Sequence, residues 1–181
     1  FIPATSGTAG QGALKLAKDA GAIVIGTTRT PKKKQFLMDI GADHIIVTQE
    51  ENIRERLMGI VGDKGIQFAF DPIGNTEFNQ AYMPVLTFGG NAAIYGLLSG
   101  EFPTFPVLDL VRRNTTLHAY SMFNHVMYKD QLEEGKKYVL ERIAKTGLKP
   151  IVDRVFPFMQ TVEAYQYMLS GKQKGKIVVR I

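Results

Sequence analysis

The sequence contains no cysteine and no tryptophan among its 181 residues. Disulfide bonds, thiolate nucleophiles and cysteine-ligated zinc are therefore excluded within this chain. The three histidines, His44, His118 and His125, show none of the short spacings of metal ligands, so we expect no metal site. This composition is compatible with a reducing compartment, and we expect a cytoplasmic protein.

Long hydrophobic runs and a strong excess of one charge are also missing. The longest apolar runs, such as residues 22–25, are far shorter than the roughly 20 residues that a bilayer span needs. The 22 Lys and Arg against 17 Asp and Glu give a formal charge of +5. This charge suits an anionic ligand but falls short of a polybasic surface, so we expect neither nucleic acid nor membrane as a partner.

The apolar residues, 45% of the chain, are arranged in alternating strand-like and helix-like segments. This alternation is typical of βαβ units around a parallel sheet. The predicted strands are residues 1–3, 22–26, 44–47, 66–70, 91–96 and 115–120, with a last strand at 176–181. The predicted helices are residues 13–20, 31–40, 53–61, 77–86, 107–112, 130–145 and 161–169. We therefore predict an α/β fold with a doubly wound, six-stranded parallel sheet of the Rossmann type.

The chain divides at about residue 150, where Gly147 and Pro150 end a long amphipathic helix. We expect residues 1–150 to form a dinucleotide-binding domain and residues 151–181 to form a separate C-terminal segment. Because the first strand begins at Phe1 with almost nothing before it, we also expect the chain to be part of a longer protein.

The first turn, residues 4–12, reads Ala-Thr-Ser-Gly-Thr-Ala-Gly-Gln-Gly between a strand and a helix. Small residues here let the backbone approach a pyrophosphate and present N–H groups at the positive end of the helix. Against the G-x-G-x-x-G pattern, Thr5 stands at the first glycine, while Gly7 and Gly10 fill the other two positions. Small-residue loops also connect ordinary strands and helices, so the flanking elements carry much of this interpretation.

The end of the second strand distinguishes NAD from NADP. A carboxylate there would bind the adenosine ribose and repel a 2′-phosphate, and none is present. Instead, Arg29 is followed by three lysines at residues 32–34, which offer charge-assisted bonds to a phosphate dianion. The alternative is a solvated basic helix start, although cations at a helix N-terminus oppose its dipole.

Two further loops follow predicted strands. Residues 71–75 read Asp-Pro-Ile-Gly-Asn and residues 94–97 read Ile-Tyr-Gly-Leu. Ligands of open α/β sheets bind beyond the carboxyl ends of the strands, so both loops are candidates for the nicotinamide end of a dinucleotide site. Plain turn formation by glycine and proline is the alternative for each.

Together these segments resemble the medium-chain dehydrogenase/reductases, specifically their zinc-independent NADPH:quinone oxidoreductase-like branch. The resemblance covers essentially the whole chain. It rests on residues 4–10, Gly41-Ala42-Asp43, Asp71-Pro72-Ile73-Gly74, residues 95–100 and the closing Gly175-Lys176-Ile177-Val178-Val179. It implies that the chain is the C-terminal, cofactor-binding part of such a protein, whose residues 151–181 return toward a catalytic domain that precedes the first strand.

The resemblance also implies an NADPH site, and we assign no catalytic residue. In this site Ser6 to Ala9 would line the pyrophosphate, and Lys33 would hold the 2′-phosphate with Thr28 or Arg29. The predicted cofactor-binding residues are Ser6, Gly7, Thr8, Ala9, Gly10, Thr28, Arg29, Lys33, Thr48, Asn75, Tyr95, Gly96, Leu97 and Ser121.

The implied activity is the reduction of quinones, enones or similar activated carbonyls by hydride transfer from NADPH. Without the other half of the cleft, we expect this chain to bind cofactor without turnover. Residues 115–120 could pair as a sheet edge to form a homodimer. Alternatives are a zinc-type alcohol dehydrogenase-like branch, which Thr5 disfavours, a non-catalytic NADPH-binding or sensing protein, and an enoyl reductase module of a larger synthase.

Overall fold

The computed structural model describes residues 1–181, which form eight α-helices and seven β-strands. The helices are α1 (Thr8–Asp19), α2 (Lys34–Asp39), α3 (Ile53–Val61), α4 (Thr76–Tyr82), α5 (Val107–Arg112), α6 (Met122–Val126), α7 (Lys129–Thr146) and α8 (Thr161–Leu169). The strands are β1 (Ile25–Thr28), β2 (His44–Val47), β3 (Ile66–Asp71), β4 (Leu86–Ile94), β5 (Thr116–Ala119), β6 (Val152–Pro157) and β7 (Lys176–Arg180). No helix combines the length and the hydropathy that crossing a membrane requires.

The main sheet is parallel and is joined at its centre by the first two residues. β1 pairs with β2, and β3, β4 and β5 pair in that order, all in parallel. Ile2 bridges Gly26 of β1 in parallel, while the Phe1 carbonyl accepts a 2.9 Å hydrogen bond from the Phe70 amide of β3. The resulting order is β2-β1-(Phe1–Ile2)-β3-β4-β5, which confirms the predicted Rossmann-like α/β fold, with a two-residue segment in the place of the first strand.

Both faces of this sheet are covered by helices. Neighbouring residues of a strand point to opposite faces, and Ile45 and Ile46 accordingly belong to two different apolar clusters. Ile45 packs in the cluster that contains Leu14 of α1 and Leu37 of α2. Ile46 packs in the larger cluster, to which α3 and α4 contribute Ile53, Leu57, Phe78 and Tyr82. The sheet is therefore wound on both sides, as in other parallel sheets whose strands are apolar on both faces.

The turn after the Phe1–Ile2 segment is held to β1 by Thr5. Thr5 is fully buried, and its hydroxyl donates to the Ile2 carbonyl at 2.5 Å and accepts from the Thr27 amide at 2.9 Å. In return, the Thr27 hydroxyl accepts from the Ala4 amide at 2.9 Å. Ala4 adopts a left-handed backbone with φ of 51°, which makes the chain turn sharply toward α1. The residue that replaces the first glycine of the motif is therefore a structural bridge.

The C-terminal segment forms a second, smaller βαβ unit. In the chain β6 precedes α8 and β7 follows it, and the two strands pair directly with each other in parallel. This unit is tied to α1 by a hydrogen bond from Gln11 Nε2 to the Lys174 carbonyl at 3.2 Å, and Lys15 Nζ donates to the carbonyl of Lys149, just before this segment, at 2.8 Å. Most of its apolar side chains are exposed, Leu169 by 81%. This unit therefore presents a broad apolar surface to its surroundings.

Several element boundaries differ from the sequence prediction. β1 begins at Ile25, three residues later than predicted, and Ile23 is 75% exposed. The predicted helix at 77–86 ends at Tyr82, because Pro84 lies in a short 3₁₀ turn that follows it. β4 then starts at Leu86 and passes through Gly89, whose φ is +71°, before it pairs regularly with β3.

Replacing Thr5 with valine should lower the free energy of unfolding by about 1–3 kcal/mol, because the isosteric side chain leaves the Thr27 amide and the Ile2 carbonyl without their buried partner. Chemical denaturation measures the change. Thr116→Val is the matched control, since Thr116 is exposed on a strand and its hydroxyl makes no hydrogen bond. Equal stabilities of the two variants would contradict the bridging role of Thr5.

Candidate functional site

A cleft of about 820 Å³ opens at the carboxyl ends of the parallel strands. It is bounded by the turn before α1 on one side and by the loops after β3 and β4 on the other. Because the sheet order reverses between β1 and β3, these loops diverge at this point and leave a crevice between them. The fold therefore forms the cleft at the position where open α/β sheets bind ligands.

The N-terminus of α1 faces the cleft without a side-chain cap. Gly7 is the N-cap residue, no side chain accepts a hydrogen bond from the first turn, and that turn contains no acidic residue. Thr8 and Ala9 are exposed and line the cleft. Uncapped N–H groups at the positive end of a helix form an anion site, so this wall suits a phosphate group.

Gly10 sets how closely α1 approaches the turn. A Cβ atom on Gly10 would lie 2.6 Å from the Ala4 carbonyl oxygen and 2.6 Å from the Thr5 Cα, closer than packed atoms allow. Gly12, two residues further along α1, has open space at the same position. The requirement for glycine is therefore specific to Gly10, where the helix packs on the strand end.

The opposite wall consists of two loops in direct backbone contact. Gly74 has a φ of +57°, and a Cβ there would lie 2.6 Å from the Gly96 carbonyl oxygen. A Cβ on Gly96 would likewise lie 2.8 Å from the Pro72 carbonyl oxygen. The amides of Leu98 and Ser99 donate to the carbonyls of Pro72 and Ile73 at 3.0 and 3.3 Å. Hydrogen bonding between the β3 and β4 chains thus continues beyond the strands into the cleft.

Asp71 fixes the loop after β3 through hydrogen bonds to its carboxylate. Its Oδ1 accepts from the amides of Ile73 and Gly74 at 2.7 and 3.4 Å, while its Oδ2 is buried without a hydrogen-bond partner. Burial raises the pKa of Asp71, and the two amide hydrogen bonds together with the nearby Tyr82 hydroxyl offset only part of this rise. Burial, followed by the nearby charge of Asp71, raises the pKa of Tyr95 to about 12. Tyr95 therefore keeps its phenolic proton at neutral pH.

Tyr95 and Asn75 are the main side chains of this wall. The Tyr95 ring stacks on Phe70 with ring centroids 3.9 Å apart, which fixes its orientation at the cleft. Asn75 caps α4 by accepting a 2.9 Å hydrogen bond from the Phe78 amide. Its carboxamide oxygen is thus engaged in the fold, and its amide NH₂ group is left for a ligand.

The ends of β1 and β2 make the basic side of the site. Thr28, Arg29 and Thr48 line the cleft, but Lys33 lies outside its lining in the 3₁₀ turn before α2. Lys33 is partly buried, and desolvation followed by the charge of Arg29 lowers its pKa, with a further contribution from Lys174 and opposition from Asp153. Positive charge is therefore concentrated beside this end of the cleft.

A second cavity of about 550 Å³ adjoins the first through Tyr95 and Gly96. Leu97, Tyr120 and Ser121 line this cavity. The predicted site residues thus line two adjoining cavities, and Leu97 and Ser121 line only the second one. All the other predicted residues except Lys33 line the first cleft.

Sequence reasoning missed several residues of the site. Gln49 lies two residues beyond the end of β2, and Leu98 and Ser99 lie in the loop after β4, so all three could have been named from their positions beyond strand ends. The complete set of additional lining residues is Ala4, Thr27, Gln49, Pro72, Ile73, Glu77, Phe78, Leu98 and Ser99.

A family model described as "Zinc-binding dehydrogenase" matches residues 9–139. Among curated proteins, 2-haloacrylate reductase of Burkholderia sp is 28% identical over 181 residues, which cover 99% of this chain and 54% of that protein. Quinone oxidoreductase-like protein 2 homolog of Nematostella vectensis is also 28% identical, over 99% of this chain and 49% of that protein. The chain therefore spans about half the length of these two relatives.

Solved structures show the same architecture. The crystal structure of 2-haloacrylate reductase superposes with a TM-score of 0.87 at 27% identity, covering 99% of this chain and 56% of that chain. The Escherichia coli quinone oxidoreductase complexed with NADPH superposes with a TM-score of 0.82 at 24% identity, covering 98% of this chain and 56% of that chain. The second of these supports the fold.

The residues of this chain do not fit the zinc ion in the description of the matched family. The sequence has no cysteine, and the structure contains no group of three or more His, Cys, Asp or Glu side chains that could hold a metal ion. Structural and catalytic zinc sites need three or four such ligands around one point. We therefore derive no step through zinc in this chain.

Two glycines of α1 allow a matched comparison. Gly10→Ala should lower the free energy of unfolding by about 1–3 kcal/mol, because the added methyl group overlaps the turn. Gly12→Ala should raise it by up to about 1 kcal/mol, because alanine favours a helix and has room there. Chemical denaturation measures both changes, and loss of stability in Gly12→Ala or none in Gly10→Ala would contradict the packing described above.

The buried Asp71 should make stability depend on pH. Its pKa is raised above the ordinary 3.8, so at pH values between the unfolded and folded pKa the folded chain keeps a proton that the unfolded chain releases. The wild type therefore loses stability as the pH rises from the unfolded pKa to the folded pKa. Asp71→Asn removes this dependence while retaining an oxygen for the Ile73 amide. The stability of the variant relative to wild type should thus increase between about pH 4 and pH 7.

Denaturation curves at several pH values measure this difference. Asp63→Asn, the same change at an exposed position, is the control. If the difference between Asp71→Asn and wild type stays constant with pH, the carboxyl group is ionised as readily in the folded chain as in the unfolded one.

Proposed function

The chain belongs to the zinc-binding dehydrogenase family, and from this premise we propose that it is the NADPH-binding part of an oxidoreductase that reduces quinones, enones or similar activated carbonyls. The observation that carries the proposal is the cleft at the sheet reversal, which has an uncapped helix N-terminus on one wall and basic side chains at one end. This combination suits a dinucleotide that bears an additional phosphate.

The pyrophosphate of the cofactor binds at the turn before α1. Its charge is balanced by the positive end of that helix, and the residues Ser6, Gly7, Thr8, Ala9 and Gly10 supply the small side chains and backbone N–H groups that allow close approach. The glycine requirement at Gly10 supports this placement, because it keeps the helix end tight against the cleft floor.

The 2′-phosphate binds beside β1. Arg29 offers a planar fork of donors and Lys33 a compact charge, and no carboxylate at the end of β1 repels the anion. Thr28 adds a hydroxyl, and Thr48 lies across from it at the end of β2. These residues favour NADPH over NADH.

The nicotinamide end lies toward the second cavity, between Asn75, Tyr95 to Leu97 and Ser121. When bound, NADPH supplies a hydride to the electron-poor carbon of the substrate, and a proton from solvent or an acid completes the reduction. The residues of this chain orient the ring and exclude water on one side. We assign none of them a catalytic role.

We infer that the remainder of the active site is formed by residues outside the 181 given, since 2-haloacrylate reductase and the quinone oxidoreductase-like protein are about twice as long. In this proposal residues 1–150 are the NADP-binding domain, and residues 151–181 pack toward a catalytic domain through their exposed apolar surface. The isolated chain therefore binds cofactor without turnover, because hydride transfer needs both walls of a closed cleft.

Two further properties form part of the proposal. β5 is the edge strand of the main sheet and is exposed along its length, so it can pair with its counterpart in a homodimer. The reductive chemistry and the absence of cysteine suit a cytoplasmic location.

Calorimetric or fluorescence titration with NADPH and NADH tests the proposal. Wild type should bind NADPH more tightly, and Lys33→Ala and Arg29→Ala should each weaken NADPH binding by roughly tenfold or more, because a charge-assisted bond contributes about 1.5–3 kcal/mol. Neither change should alter NADH binding to a similar extent.

Lys32→Ala is the matched control, since Lys32 is the exposed neighbour of Lys33, and it should remain within about twofold of wild type. If neither nucleotide binds at about millimolar concentration, which corresponds to only about 4 kcal/mol, the proposal is wrong. Equal affinity for the two nucleotides would retain a dinucleotide site but remove the preference for NADPH.

A further inference from the structure

The loop between α8 and β7 lies directly against the basic end of the cleft. Gly171 begins this loop with a φ of +66°, and a Cβ there would lie 3.4 Å from a guanidinium nitrogen of Arg29. Gly171 of the C-terminal βαβ unit thus lies beside the arginine that follows β1. The two parts of the chain meet where the 2′-phosphate is proposed to bind.

Lys174, three residues further along, is fixed through its backbone at two points. Its amide donates to Asp153 Oδ1 at 3.2 Å, and its carbonyl accepts from Gln11 Nε2 at 3.2 Å. Gln11 is buried in the first half of α1 and also donates to the Ser6 carbonyl at 3.1 Å. Lys174 is therefore connected by one side chain to the turn that faces the pyrophosphate.

The side chain of Lys174 extends toward the segment that carries Lys33. Its ammonium nitrogen lies 5.8 Å from the centroid of the Phe36 ring on α2, and Lys33 immediately precedes α2. A cation at this distance from an aromatic ring is attracted to the ring face. The contact holds the ammonium group close to the basic turn, although the side chain remains exposed.

Three cations therefore gather at this end of the cleft with little compensation. The positive charges of Arg29 and Lys174 both act to lower the pKa of Lys33, and only Asp153 acts against them. Asp153 contributes one negative charge against these three positive ones, and its two oxygens also accept from the Lys174 amide and from the Tyr167 hydroxyl, the latter at 2.8 Å. Like charges held together in this way favour a multivalent anion between them.

We propose that Lys174 is a specificity-determining residue, which completes the 2′-phosphate subsite with Arg29 and Lys33 and so makes the preference for NADPH depend on the C-terminal unit. This inference rests on the proposed function, because it concerns the same site. In this inference both parts of the chain bind the 2′-phosphate, through the turn after β1 and through the loop before β7.

Isothermal titration of the full chain with 2′,5′-ADP and 5′-AMP tests this inference, since the two probes differ only in the 2′-phosphate. Lys174→Ala should weaken 2′,5′-ADP binding about tenfold, equivalent to about 1.4 kcal/mol, and leave 5′-AMP within about twofold. Lys174→Arg should retain most of the wild-type affinity. Lys172→Ala, an exposed lysine of the same loop, should behave as wild type toward both probes.

The outcomes separate the two proposals. If wild type binds 2′,5′-ADP no more tightly than 5′-AMP, the preference for NADPH in the proposed function is wrong and this inference fails with it. If wild type discriminates but Lys174→Ala discriminates equally well, the proposed function stands and the role of Lys174 is wrong. Equal weakening of both probes by Lys174→Ala would also overturn the inference, because it would indicate a structural effect on the loop.

Discussion

Hydrogen bonding by the Phe1–Ile2 segment is the constraint on which the rest of this molecule depends. The segment is the only connection in the main sheet between the β1–β2 pair and the β3–β4–β5 group. Thr5 then fixes the turn that leaves it, through the Ile2 carbonyl and the Thr27 amide. The reversal of strand order, the start of α1 and the cleft between the loops all follow from this one junction.

The residues of the site built on this junction are electrostatically unbalanced. The uncapped end of α1 and the basic turn after β1 both present positive potential, while the buried Asp71 is shielded from the cleft by its own loop. Repulsion between these positive groups lowers the stability of the folded chain, and an anion that binds between them relieves the repulsion and so binds more tightly. The family relationship and this imbalance point to the same class of ligand by independent routes.

Much of this could be predicted from the sequence, because local patterns determined it. The alternation of strands and helices gave the fold, and positions after strand ends gave most of the cleft lining. β1 was misplaced because apolar Ala22 and Ile23 resemble a strand, whereas the strand itself ends in two buried threonines, of which Thr27 is paired through its hydroxyl by a tertiary contact to Ala4. β6 was not predicted as a strand, and Lys174 was missed because its position depends on long-range contacts to Gln11 and Asp153.

The backbone contact among Pro72, Gly74 and Gly96 has a mechanical consequence. The loops after β3 and β4 are hydrogen bonded to each other and leave no room for a Cβ atom between them, so we expect them to behave as one rigid unit. Movement of the cleft walls relative to each other is then expected at the opposite boundary, the turn before α1. A ligand would then bind against the rigid loops after β3 and β4, and any conformational adjustment on binding would occur in the turn before α1.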